Sequence, residues 1–190
     1  RRRALGESLV EWAPPPVAHP PSARYHTQVA GTEGEALSPT AGTRLAHMDP
    51  LKLIALDDED LAVLAAHLQD AVMRVGDMAW LPADRRFAAV LNRFDWADVV
   101  TAAESPRRRK KPHRRWRSGL RFERVLAARV QGIDLKAKDA VLNLLTIQFE
   151  PAETAPEGHV TLFFSAGGAI RLHVERLEAE LKDLGAAWRA

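Results

Sequence analysis

The chain consists largely of short apolar segments separated by turn-forming residues, and this pattern constrains its fold most strongly. Leu51–Leu56 is an apolar run typical of a strand. Met78–Leu81 and Arg86–Phe94 flank the turn-forming stretch Pro82–Arg85, which predicts a hairpin. The segments "HVTLFFS" and "AIRLHVE" flank "AGG" and predict a second hairpin, because glycine readily adopts the positive φ that tight turns need.

Two further strands are predicted from the alternation of apolar and polar residues. In the first strand, one face carries Leu120, Phe122, Arg124, Leu126, Ala128 and Val130. In the second strand, within Val141–Glu150, one face carries Val141, Asn143, Leu145, Ile147 and Phe149. Successive side chains of a strand point to opposite sides of a sheet, so we expect each of these faces to be buried.

Two helices are predicted from apolar residues spaced three or four apart. The first spans about Asp58–Arg74 and ends before Gly76, with an apolar stripe of Leu61, Leu64, Leu68 and Val72. Asp57 is the expected N-cap of this helix. The three acids that follow it are stabilised by the positive N-terminal end of the helix dipole. Helix capping therefore explains "DDED" without a metal ion. The second helix is "ERLEAELKDLG", with Leu177, Leu181 and Leu184 inward and Gly185 as its end.

The order of these elements predicts an α+β fold. We expect a mainly antiparallel, strongly curved sheet with one helix on its N-terminal side and one C-terminal helix. Such a sheet can also close partly, in a topology like that of pleckstrin-homology domains.

The first 47 residues differ in composition from the rest of the chain. "APPPVAHPPSA" and "VAGTEGEALSPTAGT" are rich in Pro and Gly and poor in large apolar side chains. We expect residues 1–47 to be a disordered tail or an upstream extension; the alternative is that Leu9, Val10 and Trp12 form a short helical turn or a docking segment. Residues 48–190 form a single predicted α+β domain, and Met48 is a plausible start of the protein.

A basic loop, residues 103–117, is the unusual feature of this domain. The stretch Pro106–Gly119, "PRRRKKPHRRWRSG", carries eight Lys or Arg and no acid. The whole chain has a formal charge of +2, so everything else carries 2 − 8 = −6. Residues before Met48 hold five Arg and four Glu, which leaves −6 − 1 = −7 for the rest of the domain. The sequence therefore predicts an acidic body with one basic loop.

Three interpretations of the basic loop remain open. It is a solvated connector that lies on the acidic body, a nucleic-acid contact, or a docking segment for an acidic protein or anionic lipid. For nucleic acid, Arg forks suit phosphate oxygens, and Trp116 would stack on an unpaired base. The candidate polyanion-binding residues are Arg107, Arg108, Arg109, Lys110, Lys111, Arg114, Arg115, Trp116 and Arg117.

No residue pattern predicts catalysis, a cofactor or a metal. The chain has no cysteine, which excludes disulfides, thiolate metal sites and a cysteine nucleophile. His159 and His173 flank their hairpin turn nearly symmetrically, and we interpret them as a cross-strand pair rather than a metal site. Asp95 with Asp98, and Glu123 with Glu150, are interpreted as surface charges. No apolar run approaches the length of a membrane span, and we expect a cytoplasmic protein.

Several separated segments together resemble a small bacterial family known as domain of unknown function 2948. These are "LKLIALDDEDLAVLAAHLQDAVMRVGDMAWLPADRRFAAVLNRFDW", "RSGLRFERV", "KDAVLNLLTIQFEP" and "GGAIRLHVERLEAELKDLG", which cover about residues 48–190. The resemblance implies a bacterial cytoplasmic protein and supplies no site residue. The sequence thus predicts a non-enzymatic binding or interaction module. The alternatives are weak, nonspecific nucleic-acid binding through the basic loop, or an enzyme or ligand-binding domain with an unrecognised pocket.

Overall fold

A computed structural model describes residues 9–11, 50–95, 114–185 and 188–189 of the chain, which belong to one compact unit. In these segments there are twelve strands and one α-helix. The strands are β1 (Leu9–Glu11), β2 (Lys52–Ala55), β3 (Val72–Arg74), β4 (Met78–Leu81), β5 (Arg86–Phe94), β6 (Arg114–Phe122), β7 (Val125–Gln131), β8 (Val141–Pro151), β9 (Gly158–Phe164), β10 (Ala169–Val174), β11 (Ala179–Asp183) and β12 (Trp188–Arg189). The helix is α1 (Asp58–Leu68).

The strands form one continuous, strongly curved sheet that is not closed. Its strand order is β1-β7-β10-β9-β8-β3-β5-β6-β11-β2, with β4 beside β5 and β12 beside β6. Every pairing is antiparallel except that of β1 with β7. The predicted mainly antiparallel, curved sheet is therefore confirmed, whereas its partial closure is not.

Both predicted hairpins are present. The first joins β4 to β5 through a short 3₁₀ turn at Pro82–Asp84, and Arg85 completes the turn with a left-handed φ of 49°. The second joins β9 to β10 through a turn at Ser165–Gly167, where Gly167 has a φ of 76°. Both turns therefore lie where the sequence predicted them. Turn positions of this kind accommodate a positive φ at little cost.

The helix α1 begins as predicted but ends earlier. Asp57 caps it, since its side chain accepts a hydrogen bond of 2.8 Å from the backbone N–H of Asp60. The helix ends at Leu68 rather than Arg74, because Asp70 adopts a left-handed φ of 60° and the following residues form β3. Leu61, Leu64 and Leu68 are buried in the main core, as expected.

The predicted C-terminal helix is wrong, because this segment forms the strand β11. Leu177 and Leu181 are four residues apart. Residues at this spacing share a face of a helix, and they also share a face of a strand, where every second residue points the same way. Ala179, Leu181 and Asp183 are the inward residues of β11, whereas Leu184 is 53% exposed. Without a C-terminal helix among the described residues, the likeness to pleckstrin-homology topology has no structural support.

Two predicted strand faces change side part-way along. The first predicted strand is in fact two strands, β6 and β7, which have different partners in the sheet. Arg124 adopts a φ of 56° between them, and Val125 is buried while Leu126 is 37% exposed. The register of β8 against β9 shifts between Leu144 and Thr146, which exposes Leu145. The shift in β8 reverses the side on which later residues lie, because the side-chain period of a strand is two. In β7, a second shift against β10 returns Ala128 and Val130 to the predicted buried face.

The described part of the predicted tail contains the strand β1, which pairs in parallel with β7. The rest of residues 1–47 lies outside the described segments, so the predicted disorder stays a prediction. Within the described segments, no helix has the length and apolar content required to cross a bilayer.

Candidate polyanion-binding face

The candidate polyanion-binding residues fall into two groups. Residues 107–111 lie outside the described segments, in the connection between β5 and β6. Arg114, Arg115, Trp116 and Arg117 form the first part of β6. The end of the basic loop is therefore part of a paired strand.

The strand β6 separates its side chains onto two faces. Trp116, Ser118, Leu120 and Phe122 are buried on the inner face. Arg115, Arg117, Gly119 and Arg121 alternate with them and lie on the outer face. The alternation explains why a segment rich in arginine also contributes to the core.

Trp116 belongs to the inner face and is only 6% exposed. Its indole Nε1 donates a hydrogen bond of 3.0 Å to a carboxylate oxygen of Asp95. The Arg93 guanidinium lies over the ring, 5.9 Å from the ring centroid. The base stacking expected of Trp116 does not fit this structure, because its ring has no exposed face. Its contacts instead join the ends of β5 and β6, next to the basic loop.

A buried ion pair lies beside Trp116 on the inner face. Arg93 on β5 donates from Nε and Nη2 to the two carboxylate oxygens of Asp183 on β11, at 2.9 and 2.7 Å. Ser118 Oγ donates to the same carboxylate at 2.6 Å, and the Leu51 N–H donates to it at 2.8 Å. The two ionised side chains are 6% and 0% exposed. Asp183 thus holds the segment before β2 and the strands β5, β6 and β11 together.

The hydrogen bonds around Asp183 set the protonation of the cluster. Burial alone would raise the pKa of Asp183, but hydrogen bonds from Arg93, Ser118 and the Leu51 N–H outweigh it and lower the pKa. His67, in the last turn of α1, has its pKa lowered by burial and by the charge of Arg93. The carboxylate is fully hydrogen-bonded, so the cluster is a structural anchor rather than a reactive site.

The outer side of the same strands carries a cationic surface, which we call the basic face: Arg115, Arg117 and Arg121 of β6, Lys182 of β11 and Lys52 of β2. The register supports this grouping, because Gly119 lies opposite Lys182 and Lys182 lies opposite Lys52. Cross-strand partners share a face of a sheet. Sequence reasoning did not predict Arg121, Lys182 or Lys52 as part of this surface, because only strand pairing brings them beside Arg117.

The basic face is only partly neutralised by the described acids. Glu180 lies 3.0 Å from Arg121 and 3.9 Å from Lys52. Among the described residues, neither Arg117 nor Lys182 forms an ion pair, and both are exposed. The guanidinium of Arg115 lies over the ring of Phe94, and its Nη1 is buried without a hydrogen-bond partner. Arg117 and Lys182 are therefore the exposed cations of the basic face that lack an ion pair within the described segments, whereas Arg115 is half-buried.

A shallow groove of ≈ 540 Å³ runs along the same face. Small side chains of β4, β5 and β6 form its floor: Ala79, Ala88, Val90 and Gly119. Arg121, Lys182 and Leu184 line one side of it. The basic face therefore adjoins an apolar surface that is open to solvent.

Some described carboxylates have basic partners from the body itself. Glu123 binds Arg86 at 2.9 Å, and Glu150 binds Arg171 at 3.0 Å, so these two acids are surface charges, as interpreted. The acids in ion pairs are Glu123, Asp139, Glu150, Glu157, Glu175, Glu178, Glu180 and Asp183. Asp98 lies outside the described segments. The interpretation of Asp95 as a surface charge is wrong, because Asp95 is only 3% exposed and accepts a hydrogen bond from Trp116. Other described acids, such as Asp58, Asp77 and Asp134, form no ion pair within the described segments, so the acidic body retains unpaired carboxylates.

His159 and His173 form the predicted cross-strand pair. They lie directly opposite each other on β9 and β10, and their rings stack with centroids 5.0 Å apart. Burial, Arg171 and His173 lower the pKa of His159, and His173 Nε2 lies 3.1 Å from Glu157. No group of three or more potential metal ligands occurs in the described segments.

The fold and the face define a curved antiparallel β-sheet domain, covered by one described helix and cationic on one outer side. The chain belongs to the family described as Protein of unknown function (DUF2948), whose sequence model matches residues 51–190. No curated protein matches the chain, and no solved structure does.

Proposed function

We propose that the domain is a non-enzymatic binding module that holds nucleic acid through its phosphates, on the basic face and the adjoining basic loop. The observation that carries this proposal is the position of Arg115, Arg117 and Lys182. All three lie on one outer face without an ion pair to the described acids, and Arg115 and Arg117 follow Arg107–Lys111 closely in the sequence. Arginine and lysine side chains bind phosphate groups well, and nucleic acid presents phosphates in an extended array.

The buried anchor supports this proposal by keeping β6 in place. Asp183 binds Ser118 and Arg93, and Asp95 binds Trp116, so each of the first inward residues of β6 has a polar partner. A cation on a rigid strand loses less conformational freedom on binding than one on a free loop. We infer that the strand part orients the ligand, while the loop adds charge.

The proposal predicts weak, nonspecific and salt-sensitive binding. Contacts with phosphate carry no sequence information, and nonspecific dissociation constants are typically on the order of 10⁻⁴–10⁻⁶ M at physiological salt. The alternative is that the basic loop lies on its own acidic body, and it predicts no salt-sensitive binding of DNA. The bacterial, cytoplasmic setting expected from the family resemblance is part of the proposal.

The test is the affinity for a labelled short single-stranded DNA at two salt concentrations. The variant Arg117→Ser/Lys182→Ser removes two cations from the basic face and should weaken binding about tenfold at low salt. It should also reduce the dependence of log affinity on log salt by about 1.4–1.8.

The matched control is Arg85→Ser/Arg176→Ser, which removes two exposed arginines at the opposite end of β5 and beyond β10. We expect this control to bind nearly as well as the unaltered chain. Equal losses in both variants would indicate a response to net charge alone and contradict the assignment to this face. Binding to anionic vesicles or an acidic peptide but not to DNA would also contradict it.

A further inference from the structure

The strand β7 forms an edge of the sheet that is only partly covered. On one side it pairs with β10, and on the other only β1 pairs with it. The three residues of β1 lie opposite Ala128, Arg129 and Val130. Within the described segments, the other four residues of this β7 edge have no strand beside them. An exposed row of backbone donors and acceptors is a template for another extended chain.

The pairing of β1 with β7 is weak on physical grounds. Three residues contribute a few backbone hydrogen bonds, each worth about 0.5–1.5 kcal/mol net. Ordering the same residues costs about 1–2 kcal/mol each, so the two contributions nearly cancel. Moreover, β1 lies outside the part of the chain that matches the family, whereas β7 lies within it. A competing strand therefore has little to overcome.

The side chains of β7 specify which strand would fit. Ala128 and Val130 are buried on the core side, while Arg129 is exposed on the opposite side. Among the described residues Arg129 forms no ion pair. Its cross-strand neighbour is Arg171, whose charge is paired with Glu150 at 3.0 Å. A residue at the Arg129 register of an added strand would share its face, and an acidic residue there would be favoured.

We propose that the edge of β7 is a docking site for an extended peptide of a partner protein with an apolar–acidic–apolar sequence, which replaces β1. Backbone hydrogen bonds to β7 provide the affinity, as in other cases of strand addition to a sheet edge. The acidic residue pairs with Arg129, and the flanking apolar residues lie at the registers of Ala128 and Val130. The chain's own β1 has Val10 at the register of Arg129.

The experiment uses the full chain and a labelled synthetic peptide with Leu-Glu-Val at its centre. The variant Val10→Pro removes a backbone donor from β1 and should release the edge. We expect it to bind the peptide about fivefold more tightly than the unaltered chain, because the edge is no longer partly occupied. Amide hydrogens of β7 should become protected when the peptide binds.

The charge preference is tested separately. A peptide with Leu-Lys-Val at its centre should bind less tightly than the Leu-Glu-Val peptide, and Arg129→Glu should reverse this order. The proposal is overturned if Val10→Pro and the unaltered chain bind the peptide equally, if Arg129→Glu leaves the preference unchanged, or if Val10→Pro forms a dimer instead of binding the peptide. Arg129 is outside the basic face, so the outcome is independent of DNA binding.

Discussion

Replacing Asp183 by Ala should strongly destabilise the domain. The change removes the acceptor of two hydrogen bonds from Arg93, one from Ser118 and one from the Leu51 N–H. The Arg93 side chain is only 6% exposed, so it would remain as a buried charge without its partner. Loss of one partner from a buried ion pair typically costs about 3–5 kcal/mol.

The assay is urea unfolding at neutral pH, with thermal unfolding as a second measurement. A loss of this size should lower Tm by on the order of 10 °C in a domain of this length. The variant Arg93→Met/Asp183→Leu should recover part of the stability, because neither charge is left unpaired. The recovery stays incomplete, because the Ser118 hydroxyl and the Leu51 N–H still lack their acceptor. As a matched control, Asp139→Ala breaks the exposed pair with Arg74 and should change stability by less than about 0.5 kcal/mol.

The same cluster should make the free energy of unfolding depend on pH in the acid range. The pKa of Asp183 is lower in the folded chain than in the unfolded chain, so its stabilising effect is complete at neutral pH. The effect is lost as the pH falls below about 4 towards the folded pKa. If Asp183→Ala costs less than about 1 kcal/mol at neutral pH, the cluster is not an anchor and the reasoning is refuted.

Three further changes test other parts of the structure. Burial lowers the pKa of His67, so stability should fall as the pH drops below 6.5, and His67→Gln should flatten this dependence in pH-resolved urea titrations. Gly158→Ala should cost about 1–3 kcal/mol, because the added Cβ would overlap the ring of Phe149; Gly185→Ala, which meets no neighbour, should be nearly neutral by the same assay. Deleting residues 1–47 should lower Tm only slightly, since β1 is the only described element there, and a large decrease would show that this segment belongs to the core.

Local sequence signals predicted the parts of the fold that depend on neighbouring residues. The β4–β5 hairpin was predictable because Pro82–Arg85 supplies its turn, and the start of α1 because Asp57 supplies its cap. The stacking of His159 on His173 followed from the same logic, since a hairpin fixes which residues face each other.

Features set by distant contacts were not predictable. The four-residue spacing of Leu177 and Leu181 suits both a helix and a strand, and only the pairing of β11 with β6 and β2 decides between them. The partners Arg93 and Asp183 are 90 residues apart, so no local pattern joins them. Trp116 resembled an exposed aromatic among arginines, but the strand alternation buries it and leaves Arg115 and Arg117 outside.

The most direct test of nucleic-acid binding is the salt dependence of affinity for single-stranded DNA. If most charges of the basic loop and the basic face contact phosphates, log affinity against log salt should have a slope of roughly −4 to −7. Replacing Arg107–Lys111 by Ser should reduce the magnitude of this slope by about 3.5–4.5 and leave Tm nearly unchanged. A salt-independent affinity, or an unaltered slope in the replaced chain, would contradict the proposed function.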